Sequence, residues 1–403
     1  MHRAYVALLA LASIAPGARA CQASQSAQDC AVLTNNLGSS YYAAGNYKEA
    51  ELFFTRAIAL WSAQPHPSDD LAKALHNLGA VYSAEEKYPD AARFFLRALD
   101  LRESLSGPAA LSLLPILNDL GRAYLEMGDY VQAENILQRA LAIVQAHPAE
   151  DSSDSADAMN NLAVAYRKLG RLADTEQLYR RALAVYRRIS DPHREVAALA
   201  NLAQVLAEQG QYQDAEQLDR QALEIARSRL GESHPDVALA LGNLGKLMNT
   251  RRKFSAAVRF LRRAEEIDRR NFAPDNTRIG FDLCNQAVAQ AGLKHYRAAE
   301  ALYREAQPIL EKSLRPDHPE IGKIIADRAS VYRLEERFEE SAALYPRAIG
   351  ILEHAWGPDN PRLVPVLESY EAVLRDLKDY AAAESIEVRS TRIRVVQALR
   401  SAN

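Results

Sequence analysis

Cysteine is scarce: Cys21, Cys30 and Cys284 are the whole supply in 403 residues, so no disulfide framework is required for folding. A Cys21–Cys30 bridge is open to the chain in an oxidising compartment, and Cys284, within a helical stretch, reads as a free thiol. Aromatic residues make up 7%, and glycine and proline number 17 each, which excludes collagen-like and low-complexity chains. Positive charge is not in excess either. With a formal net charge of -3 there is no basic footprint of the kind a nucleic-acid partner demands. No apolar run approaches the roughly 20 residues needed to cross a bilayer as a helix. Catalytic signatures are missing as well: no G-x-S-x-G elbow, no H-E-x-x-H, no phosphate-binding loop and no C-x-x-C occur. Neither an enzyme nor a metal or cofactor site is therefore expected.

The first twenty residues differ in kind from the rest. Arg3 supplies a positive start, Ala4 to Ala15 is apolar apart from Ser13, and Pro16-Gly17 break the run ahead of Ala18-Arg19-Ala20. That order predicts a secretory signal peptide over 1–20 and a chain exported to the periplasm or the exterior. Cleavage after Ala20 makes Cys21 the first mature residue. This position resembles the lipidated cysteine of bacterial lipoproteins, although Ala18 and Arg19 depart from the pattern of such signals. A lipid anchor at Cys21 is the alternative to a freely diffusing chain. Residues 21–30 read as a short N-terminal segment.

What the chain has instead is a period. Leu followed by Gly or Ala recurs at Leu37, Leu78, Leu120, Leu162, Leu202 and Leu244, with spacings of 41, 42, 42, 40 and 42. Continuing by 42 reaches Gln286, Arg328 and Tyr370, where the Leu is lost and the rest of the pattern persists. Four residues after the repeat position stand Tyr41, Tyr82, Tyr124, Tyr166, Leu206, Met248, Gln290, Tyr332 and Leu374. Ten after it stand Tyr47, Tyr88, Tyr130, Leu172, Tyr212, Phe254, Tyr296, Phe338 and Tyr380. Thirteen after it the residue is small, from Ala50 to Ala383, and twenty after it small again, from Ala57 to Ser390. The Leu, its small neighbour and the aromatic one turn on form the apolar stripe of a first helix. A polar break such as Ala44-Gly45-Asn46 ends it, Gly being a common C-terminal cap. A second helix follows, carrying a small–large–small set such as Ala50, Phe54 and Ala57, whose small members admit a close helix partner. His66-Pro67, His234-Pro235, His318-Pro319 and Asn360-Pro361 lie between repeats, where Pro suits a first helical turn. The histidines, His147 and His193 included, read as turn residues rather than metal ligands. The acidic stretch 150–157 reads as a solvated loop.

These residues resemble the tetratricopeptide repeat, in the 42-residue form of kinesin light chains and many bacterial proteins. The resemblance runs from Ala31 to Ser390. It implies an all-α, right-handed α-solenoid of nine helix-turn-helix units whose first helices line a concave groove. In this register the units fall near 31–71, 72–113, 114–155, 156–195, 196–237, 238–279, 280–321, 322–363 and 364–403. The last ends in an arginine-rich capping helix with a polar outer face. Gln286, Gln290 and Arg328 stand where apolar residues are expected, either loosening an interface or compensated by their neighbours.

The resemblance implies a protein or peptide partner, held by a non-catalytic scaffold. A structural module of an envelope complex, using convex or terminal surfaces, is the alternative. One column suits binding. Just before each repeat position stand Asn36, Asn77, Asp119, Asn161, Asn201, Asn243, Asn285, Asp327 and Ser369. Asn is a mediocre helix former because its amide competes for backbone bonds. Its recurrence fits either a ladder of amides for the backbone of an extended peptide or bonds that fix helix stacking. The family's inner positions add Arg122, Arg167, Lys168 and Lys246, then Arg333 and Arg375, with Glu126, Asp157 and Glu208 among them. They form either a basic stripe for carboxylates or a mixed, solvated face.

Overall fold

The computed structural model describes residues 26–147, 151–314 and 316–402. The expected export signal over 1–20, a lipid at Cys21 and the Cys21–Cys30 bridge lie outside them. Among the described residues regular structure is helical throughout, in nine consecutive pairs. These are α1 (Ala27–Ala43) with α2 (Tyr47–Ser62), α3 (Asp69–Ala84) with α4 (Tyr88–Ser106), and α5 (Leu114–Met127) with α6 (Tyr130–Ala146). Next come α7 (Ser153–Lys168) with α8 (Leu172–Arg188), α9 (Pro192–Glu208) with α10 (Tyr212–Leu230), and α11 (Pro235–Thr250) with α12 (Phe254–Asn271). The last are α13 (Thr277–Gly292) with α14 (Tyr296–Ser313), α15 (Pro319–Leu334) with α16 (Phe338–Trp356), and α17 (Val364–Asp376) with α18 (Tyr380–Ala402).

The chain divides into two compact units, 1–198 and 199–403, the division falling within α9. Inside the first, each helix packs on the next, and α1, α3, α5 and α7 also touch in series. Inside the second the same holds, with α11, α13, α15 and α17 as the contacting first helices. Each unit thus presents one face built from first helices alone.

The two small columns carry this packing. Every residue thirteen after the repeat position, Ala50 through Ala383 with Thr175 and Ser341 among them, has no exposed surface. The same is true of every residue twenty after it, from Ala57 to Ser390. Side chains of this size let helix axes approach closely, and the large residue between them fills the remaining space. Phe54 meets the Cα of Gly38 so closely that a Cβ there would sit 2.8 Å from its ring, and Leu261 stands equally tight on Gly245. The tyrosines of the first helices reach the preceding repeat: Tyr82 donates to Glu51 at 2.6 Å and Tyr332 to Glu300 at 2.9 Å.

The corner between the helices of a pair is equally regular. Every second helix begins at the residue ten after the repeat position, from Tyr47 to Tyr380. Two residues earlier the backbone is left-handed in all nine pairs: Gly45, Gly128, Gly170 and Gly210 have it, but so do Glu86, Arg252, Lys294, Glu336 and Lys378. The turn between pairs is held by side-chain caps. Ser68 and Ser152 accept from the amides three residues on, while His234, His318, Asn276 and Asn360 accept from those two residues on.

Several expectations need correction. Some first helices start ahead of the expected unit boundaries, α3 at Asp69 rather than 72 and α11 at Pro235 rather than 238, because the caps Ser68 and His234 already accept from the first-turn amides. The acidic stretch is not a loop beyond Ser152: Ser152 caps α7, and Asp157 accepts from the Tyr186 hydroxyl at 2.7 Å and from Arg194. Gln286, Gln290 and Arg328 loosen nothing. Gln286 donates to Glu265 at 2.5 Å, Gln290 bonds His295 at 3.0 Å, and Arg328 donates to Gln307 at 2.7 Å. The outer face of the closing helix α18 is mixed, with Glu384, Glu387, Arg392 and Arg394 exposed beside apolar residues. Its arginines tie it inward, Arg389 to Glu353 and Arg392 to Asp359, but Val388, Val395 and Leu399 stand more than half exposed. Cys284 is a free thiol, half-buried on α13, and burial raises its pKa.

The left-handed corner yields a stability test. Arg252 holds φ of 56°, a conformation that costs a side-chain-bearing residue roughly 1–2 kcal/mol and glycine little. Arg252→Gly should raise unfolding free energy by about 1 kcal/mol in urea melts. An unchanged or lower value would refute the strain.

Candidate partner-binding face and its pocket

The Asn column lies on the first helices, and the structure uses its members unequally. Asn77 on α3 is half-buried and donates to Asn35 at 3.3 Å, one pair earlier. Asp119 on α5 meets His76 at 2.7 Å. Asn285 on α13 turns back to its own helix, donating to the Phe281 carbonyl at 2.8 Å. Asn201 is half-buried on α9. Asn161 on α7 and Asn243 on α11 are half-buried, and their amides have no hydrogen-bond partner among the described residues.

Most of the inner arginines are already committed. Arg122 donates to Asp119 at 2.8 Å, Arg333 to Asp376 at 2.6 Å, and Arg375 to Glu371 and Glu387 at 2.8 and 2.7 Å. Arg167 is half-buried and Lys168 exposed, both in the last turn of α7. Lys246 is exposed on α11. Around Arg122, Arg333 and Arg375 the face therefore carries alternating signs, because each of these has a carboxylate one helical turn or one helix away.

One residue of the face has no counterpart in the sequence expectations. The large residue seventeen after the repeat position is Phe54, Phe95, Leu137, Tyr179, Leu261, Tyr303 and Tyr345 in seven pairs. In the fifth pair it is Asp219. The small partner on the first helix is Ala203 there, so neither side fills the gap. A cavity of about 350 Å³ opens in its place between α9, α10 and α11. Ala203, Ala207 and Leu247 wall it, Asp219 lies among them, and Asn243, Lys246 and Glu208 stand at its solvent side.

Asp219 is 3% exposed, and its Oδ1 has no hydrogen-bond partner. Burial, with Glu216 adding to it and Lys246 opposing, pushes its pKa up to about 8. Asp282 on α13 repeats the theme: buried, with Oδ2 unpartnered, it is raised to about 8 by burial and then by Asp268. An ionised carboxyl without a partner is expensive in such surroundings, so both are held protonated instead.

The raised pKa fixes the sign of a pH effect. The unfolded chain ionises Asp219 near its ordinary value of about 4. The stability tied to its neutral form is complete below that value and is lost as pH rises through about 8. Asp219→Leu restores the apolar column and should stabilise the fold by about 1.5–3 kcal/mol of side-chain burial. Its advantage over the parent should grow between urea melts at pH 5 and pH 8.5. A variant less stable than the parent at both would show that the cavity is not a packing defect.

The packing has known counterparts. A family model described as tetratricopeptide repeat matches residues 29–104, 70–146, 154–228 and 195–270, more than half of the chain. No curated protein matches the sequence. Among solved structures, the apo form of the quorum sensor NprR from B. thuringiensis is 11% identical, covering 82% of this chain and 90% of its own, at a TM-score of 0.63. A Rap protein complexed with Competence and Sporulation Factor is 15% identical, covering 92% and 99%, at 0.57. A putative kinesin light chain with nearly identical repeats, from Podosopora anserina, is 18% identical over 51% and 99%, at 0.45. For NprR and the Rap protein the likeness, at these identities, is one of fold. The repeat register, the nine helix pairs and the matching model together place this chain in the tetratricopeptide repeat family.

Proposed function

We propose that this protein is a non-catalytic scaffold that holds an extended peptide, or an extended segment of a partner protein, along the first-helix face of its repeats. The observation that carries the reading recurs in each unit by itself: Asn161 in the first and Asn243 in the second are half-buried on first helices, with amides that have no hydrogen-bond partner among the described residues. Neither amide is sealed from water, so solvent satisfies them in the free protein and a ligand's backbone can take its place, since each Asn offers both donors and an acceptor. Asn77, Asn201 and Asn285 extend the same column, and Lys246 with Arg122, Arg167 and Lys168 supplies charge beside it. That a Rap protein of similar fold is seen complexed with Competence and Sporulation Factor supports a partner-holding role.

A second reading rests on α18, whose Val388, Val395 and Leu399 form an exposed apolar stripe at the end of the chain. Here the terminal repeat docks into an assembly and the first-helix face is idle. The two readings separate in one capture experiment from the native envelope or culture fraction. Asn161→Ala, Asn201→Ala and Asn243→Ala combined should weaken capture at least tenfold with helicity and melting unchanged. Deleting 319–402 should abolish it only under the second reading. Capture unaffected by the three alanines removes the first.

Residues 1–20 support placing the scaffold outside the cytoplasm, with Cys21 either free or lipidated. Among the described residues no helix is long and apolar enough to cross a membrane. Intact mass of the protein recovered from its own host should show a chain starting at Cys21. A chain retaining Met1 overturns the export reading.

A further inference from the structure

We infer that the cavity beside Asp219 is a side-chain pocket for a lysine or arginine of the bound peptide. This rests on the peptide-holding role proposed above and specifies what that peptide must contain.

The pocket has the two halves that such a side chain needs. Ala203, Ala207 and Leu247 give apolar walls, which suit an alkyl stem. Asp219 gives a carboxyl 3% exposed, with one oxygen lacking any partner, which suits a cationic tip that donates hydrogen bonds. Asn243 stands beside it with an unpartnered amide, within the same lining, so one ligand residue can engage its backbone and its side chain together. The place of Asp219 in the repeat argues against an accident of packing. Seven of the nine pairs put a large apolar residue there, and the remaining exception, Glu387, is in the terminal helix α18. Leu or Tyr would close the cavity, as Leu261 and Tyr179 do in neighbouring pairs.

Charged groups around Asp219 come from each helix packed against it: Glu208 on α9, Glu216 on its own α10 and Lys246 on α11. Two acids against one base leave the pocket able to accept a cation once Asp219 ionises. In the free protein the carboxyl is held neutral. Entry of an ammonium or guanidinium supplies the missing partner, and the carboxyl gives its proton to solvent. Binding therefore strengthens as pH rises from 6 toward 8.

The probe is a displayed library of random decapeptides selected on the full chain. Selected peptides should share a Lys or Arg at one position. Replacing that residue with norleucine should weaken binding at least tenfold at pH 8, and the Lys and Arg versions compared directly identify the preferred cation. Asp219→Asn, close in shape to the parent, should lose the same factor and the pH dependence. Asp219→Leu, which fills the pocket, should bind the norleucine and lysine peptides equally. Peptides selected without a fixed basic position, or binding Asp219→Asn as they bind the parent, overturn the pocket while leaving the peptide-holding face intact. A library from which nothing is enriched overturns both.

Discussion

The structure depends on one contact repeated along the chain: a large side chain on a second helix pressed against a glycine or alanine on the first. At Gly38, Gly79, Gly121 and Gly245 the contact is so close that even a methyl group would collide with Phe54, Phe95, Leu137 or Leu261. The two fully buried small columns on either side let the axes reach that distance. Dispersion between atoms at contact is weak singly, and only close packing of many such atoms makes it count. Because each pair needs its neighbours to cover these surfaces, stability is spread over many similar interfaces rather than concentrated in one core.

The same contact explains where the fold opens a pocket. A fold built on one interface repeated in every pair shows an exception within it clearly, and Asp219 is such an exception. Loss of the large apolar residue at one pair removes the filling but not the frame, since α10 keeps both of its small residues, Ala215 and Ala222, fully buried, as α12 does Ala257. The outcome is a cavity of defined lining with a buried acid in it instead of a collapsed joint. Gln286 and Arg328 show the opposite case. They too replace apolar residues, yet Glu265 and Gln307 come within hydrogen-bond reach and accept from them.

Much of the fold was legible in the residues. The period, the large first residue of every second helix from Tyr47 to Tyr380, aromatic in all but Leu172, and the small columns all reappear at the positions the spacing indicated. The left-handed corner was legible at Gly45 and Gly128 but not at Glu86 or Lys294. There packing of the two flanking helices imposes a backbone that the residue itself disfavours. The exposed stripe of α18 was hidden for a similar reason: its arginines suggested a polar cap, and only the pairing of Arg389 and Arg392 with the preceding repeat shows which face they occupy.

For the candidate partner-binding face, the Asn column was visible as a pattern, but its members look alike in the chain. Asn77, Asn285, Asn161 and Asn243 are the same residue at the same register, and two have partners while two do not. Asp219 also carried a sequence signal, an acid in a column of Phe, Tyr and Leu, yet an acid there is equally compatible with an ion pair. By itself the sequence determined the repeat, its register and the helix pairs, since these follow from periodic burial and local turn chemistry. The tertiary structure alone decided which polar groups are spent and which are left over. Whether a hydrogen bond is satisfied depends on neighbours brought in from other helices, some of them a full repeat away.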